Sequence, residues 1–126
     1  MSAKAKLAKI ASLWQITTLF SAGVTYFTVQ SQTVTATLVG LAFWFGLNFL
    51  VHRMLAAGSG LVRKIVLVCN LGGMCLLPLG IAASAWSVSS APLRSIFAIS
   101  WMVWLFTLHF RSFSTLKDSD VKRSFA

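Results

Sequence analysis

Long uncharged apolar stretches alternate with short polar or basic ones along this chain. No Asp, Glu, Lys or Arg occurs between Ile10 and His52, and none between Ile65 and Leu93. A third uncharged run follows Arg94 and ends at Arg111. At about 1.5 Å per helical residue, roughly twenty residues cross a ~30 Å hydrocarbon core. The first run therefore holds two crossings, divided at the uncharged turn Gln30-Ser31-Gln32-Thr33. The pattern predicts an all-α, polytopic membrane protein with four transmembrane helices, over residues 10–29, 34–52, 65–88 and 93–110. Residues 1–126 form one antiparallel bundle, and 111–126 a short basic tail.

Composition agrees with that class. Apolar residues are 57% of the chain and charged residues 10%, more apolar surface than so small a soluble domain hides. The net charge of +9 would point to nucleic acid in a soluble protein. Here the cations gather at span ends instead: Lys4, Lys6 and Lys9, then Arg53, Arg63 and Lys64, then Arg111, Lys117, Lys122 and Arg123. Only Arg94 falls on the other side. The positive-inside rule accounts for this and places both termini and the 52–64 connector in the cytoplasm. No nucleic-acid partner is expected. Cys69 and Cys75 share the third span but point to different faces, so they do not bridge and read as buried small apolar residues.

Polar and small residues inside the spans mark contact faces. Gln15, Thr18 and Ala22 make a stripe on the first span, while Trp14 and Tyr26 suit its two interfaces. Ala36 with Gly40, Ala42 with Gly46, and Gly80 with Ser84 are small-xxx-small pairs that permit close helix approach. Phe43-Trp44-Phe45 predicts a packed aromatic layer, and Pro78 a kink in the third span. Asn48 and Asn70 lie near the same end of spans two and three. They are expected to bond each other across a hairpin, or to line a path for a solute.

Catalysis finds few materials here. No Asp or Glu precedes Asp118, so no intramembrane carboxylate can move a proton or hold a cation. General bases, carboxylate metal ligands and nucleophile triads are missing too. Two histidines, His52 and His109, end the second and fourth spans. They have the side chains to ligate haem or copper, but read more simply as interfacial groups. No enzyme activity, cofactor or metal is expected. His52, Arg53, Arg63, Lys64, His109 and Arg111 form a candidate surface for anionic lipid phosphates.

The tail, with Ser119 followed by Val121-Lys122-Arg123-Ser124-Phe125, resembles the ending of some small four-span bacterial inner-membrane proteins of uncharacterised function. That resemblance implies the bacterial inner membrane and four spans, and no activity. The leading expectation is a non-enzymatic membrane protein acting through helix contacts, as an accessory, assembly or regulatory subunit of a larger complex. Its candidate contact or pathway residues are Thr18, Gly40, Asn48, Asn70, Gly80 and Ser84. The alternatives are a small homo-oligomeric channel or transporter, or a phage- or plasmid-type immunity, exclusion or holin-like protein. The partners expected are the bilayer and another membrane protein or further copies of this chain.

Overall fold

The computed structural model of the chain describes residues 2–28 and 33–125. It is all-helical: α1 Ala3–Thr28, α2 Val34–Ala56, α3 Gly60–Trp86, α4 Pro92–Lys117 and the short α5 Ser119–Arg123. Helices α2, α3 and α4 are each long and apolar enough to cross a membrane. Helix α1 is as long, at 26 residues, but more polar. The turn expected at residues 30–33 lies outside the described residues except for Thr33.

Local chemistry sets the helix ends. Thr33 caps α2 by accepting a hydrogen bond from the Ala36 amide, and Ser59 caps α3 by accepting from that of Val62. Pro92 opens α4, where its missing N–H costs nothing. Gly58, at φ +80°, makes the reversal between α2 and α3. The helices outrun the apolar segments, because Arg53-Met54-Leu55-Ala56 are all good helix formers. The broad connector expected at 52–64 thus shrinks to residues 57–59. The helix also continues through Pro78.

Packing is uneven. Helices α3 and α4 form one extensive hairpin and α1 and α2 a second, joined mainly where α1 meets α4. Consecutive α2 and α3 touch only slightly. None of α2's residues is buried, so it is an edge helix. The aromatic layer expected at its middle does not form: Phe43, Trp44 and Phe45 are 63%, 57% and 38% exposed. Cys69 and Cys75, expected to be buried, are exposed free thiols.

The apolar core lies at the end where the basic residues gather. Leu7, Leu116 and Val121 are buried there, with Leu55, Val66, Leu67 and Phe125 packed around them. The tail is therefore built into the fold. Residues 111–117 extend α4, and α5 tucks Val121 beneath α1 with no exposed surface left. Phe125, one turn after Val121, packs on the same cluster.

Candidate functional site: a polar seam through four helices

Buried side chains between the long helices are mostly polar. Thr17, Thr18, Asn70 and Ser112 are 3%, 8%, 2% and 1% exposed. They belong to one seam. Trp14 of α1 donates its indole N–H to Ser112 Oγ of α4 at 2.7 Å. It also stands edge-on to the His109 ring, with centroids 4.9 Å apart. Trp104 of α4 donates to Thr17 Oγ1 at 3.0 Å. Asn48 of α2 donates to Thr18 Oγ1 at 2.6 Å, while Thr18 donates to the Trp14 carbonyl at 2.9 Å.

His109 and Asn70 close the seam between α4 and α3, with Nδ1 and Oδ1 2.9 Å apart. Asn70 Nδ2 donates to the Val66 carbonyl at 2.8 Å. That bond turns Oδ1 toward the ring as an acceptor, so His109 Nδ1 carries the shared proton. The ring lies against Gly73, where an added Cβ would stand 2.6 Å from Nε2. Only glycine leaves room for the imidazole there. Among the described residues no buried side-chain polar atom lacks a partner. The seam is thus saturated with hydrogen bonds, an arrangement that fixes helix register.

The expected bond between Asn48 and Asn70 does not form. With α2 at the edge of the fold, Asn48 is held by Thr18 and Asn70 by His109. Trp14 and His109, read as interfacial, both turn into the seam. Gly80 packs on α4, where an added Cβ would meet Met102 Sδ at 2.8 Å, and the half-buried Ser84 accepts from Ser87 through its carbonyl. A Cβ at Gly40 would meet nothing within 4 Å. Gly40 lines a cavity of about 350 Å³ between α1, α2 and α4, walled also by Trp14, Thr18, Ser21, Trp44 and Asn48.

The six residues expected to form one lipid-binding cluster have different surroundings. His109 faces Asn70. Arg63 donates to the Leu116 carbonyl at 2.9 Å and lies over the Phe125 ring at 5.8 Å, holding the tail. Arg111 lines a groove between α1 and α4. Arg53 and Lys64 are exposed and His52 half-buried on α2 and α3.

Several participants escaped the sequence reading: Gly73, Trp104, Ser112, Lys6 and Asp118. Ser112 carried a signal, since Leu108, Ser112 and Leu116 repeat every four residues and are all buried. Lys6 bonds Asp118 at 2.8 Å and lies 3.6 Å from Asp120. The bond with Asp118 raises the Lys6 pKa, and the same bond lowers that of Asp118. Among the described residues no three His, Cys, Asp or Glu side chains come close enough to hold a metal ion. No family model matches this chain, and neither a curated protein nor a solved structure does.

Proposed function

We propose that the chain is a four-span protein of the bacterial inner membrane, with both termini on the cytoplasmic side. Its work there is non-enzymatic: an accessory, assembly or regulatory subunit that docks on another integral membrane protein through α2. Three long apolar helices support the membrane setting. The position of ten of the eleven Lys and Arg residues at one end, Arg94 excepted, supports the orientation.

One observation carries the docking role. Helix α2 buries none of its residues, and a Cβ at Gly40 or Gly46 would meet nothing within 4 Å. The two small pairs fall on different faces of the helix: Ala36 and Gly40 face the cavity, while Ala42 and Gly46 lie about a third of a turn around. Small residues on an open face allow a second helix to approach closely.

Affinity purification from the native membrane in mild detergent, followed by native mass spectrometry, tests the proposal. A different membrane protein at fixed stoichiometry is expected. Gly46→Leu, whose Cβ meets nothing within 4 Å in this chain, should remove that partner without loss of helicity. A partner retained by Gly46→Leu and Gly40→Leu alike rules out docking through α2.

The cavity favours a second reading, a homo-oligomeric channel or transporter, because Thr18, Ser21 and Asn48 give one wall a polar face. Recovery of homo-oligomers alone, with liposome flux altered by Thr18→Val, would decide for it.

A further inference from the structure

A groove of about 380 Å³ separates α1 from α4 at the basic end. Its wall changes character along its length. Lys6, Lys9, Ser114 and Thr115 come from the turns of α1 and α4 nearest the chain termini, and Ile10, Leu13 and Phe110 from the turns next along those helices. Arg111 stands beside Phe110. The charge in the groove is not cancelled. Lys6 is committed to Asp118 and Asp120, whereas Lys9 and Arg111 have no ion-pair partner among the described residues. Two free cations and two hydroxyls thus stand next to an apolar wall, at the level where the cations leave the apolar span.

We propose that this groove is a binding site for an anionic phospholipid. Lys9 and Arg111 meet the headgroup phosphate, the hydroxyls of Ser114 and Thr115 donate to its oxygens, and Ile10 and Phe110 receive the first methylenes of the chains. The apolar wall decides for a lipid over a free phosphate ion, which would leave it uncovered. The inference rests on the membrane placement proposed above, and not on the docking role of α2.

The test is native mass spectrometry of the full chain released from nanodiscs of mixed phosphatidylglycerol and phosphatidylcholine. One phosphatidylglycerol per chain is expected to be retained. The double variant Lys9→Gln with Arg111→Gln should weaken it by about fivefold per cation removed. Lys122→Gln with Arg123→Gln removes the same charge from α5 and should change retention less than about twofold. Equal losses in both doubles would reduce the effect to general electrostatics and overturn the proposal. So would displacement of the lipid by millimolar inorganic phosphate. Failure of the wild-type chain to enter nanodiscs would overturn the membrane placement itself, a result distinct from entry without lipid selectivity.

Discussion

The polar seam and the basic-end core bury opposite chemistries along the same helices. On α4 the change falls within one turn: Ser112 is 1% exposed among hydrogen-bond partners, and Leu116 is 2% exposed among apolar ones. Helix α1 shows the same contrast between Thr17 and Leu7, 3% and 7% exposed. In hydrocarbon, burying a leucine gains little, because lipid tails are as apolar as the leucine. Hydrogen bonds and close packing hold helices together there. In water the balance reverses, and apolar burial dominates. Two kinds of interior in one small chain are what a membrane boundary between them would require. Leu108, 2% exposed at the level of the seam, is the exception.

The largest expected effect lies in the core outside the seam. Leu116→Ala should cost about 2–5 kcal/mol, the range for a buried leucine truncated in a water-facing core. Leu47→Ala, on the exposed face of α2, should stay within about 0.5 kcal/mol. SDS-driven unfolding in mixed micelles, followed by tryptophan fluorescence, measures both. Equal effects would mean that Leu116 does not sit in a packed apolar core.

Next in size is a clash inside the seam. Gly73→Ala places a methyl against the His109 ring and should destabilise by about 1–3 kcal/mol. Gly72→Ala meets nothing within 4 Å and should be neutral, or stabilising by up to about 1 kcal/mol through helix propensity. Two adjacent glycines with opposite signs of effect would locate the seam to one residue. Matching signs would mean that the ring does not lie there.

That pair also marks the limit of what sequence could reveal. Helix content and the long apolar stretches of α2, α3 and α4 were legible, because charge-free runs of that length have few other uses. Partner choice was not. Asn48 and Asn70 sit at similar depth, and nothing in one dimension says that α2 stands at the edge and leaves each to a different hydroxyl or ring. Gly72 and Gly73 look alike until α4 is placed beside them. The tail looked like a polar appendage because Leu116, Val121 and Phe125 are sparse among charges. Their spacing of four to five residues becomes a buried face only once Asp118 ends α4 and starts α5.

A smaller effect tests whether the seam is one unit. Asn70→Leu leaves the His109 Nδ1 proton without its acceptor, and should cost about 0.6 kcal/mol and at most about 1.7, the span seen for hydrogen bonds between membrane helices. In a double-mutant cycle Asn70→Leu and His109→Phe should couple, and Asn48→Leu with His109→Phe, joined only through Thr18 and Trp14, should couple more weakly. Additivity throughout would show separate bonds with no shared seam.

The smallest effect belongs to the half-buried ion pair that ties α5 to α1, and it appears only at extremes of pH. Asp118 has a pKa lowered from 3.8, first by its bond with Lys6. A depressed carboxylate pKa stabilises the docked tail fully above 3.8, and that contribution fades as pH falls through the lower folded value. Lys6 has a pKa raised from 10.5, first by the same bond. Its contribution is complete below 10.5 and fades as pH climbs through the higher folded value. Between those limits the pair should make tail docking independent of pH. Hydrogen exchange across residues 119–125, extrapolated to a common intrinsic rate, should therefore show a plateau with loosening at both ends. Asp118→Asn should abolish the acid transition and weaken the alkaline one, which Asp120 still supports, while Val121 and Phe125 keep the tail docked. A tail released by Asp118→Asn at neutral pH would contradict that division, and would make the ion pair, not the buried valine, the main hold on α5.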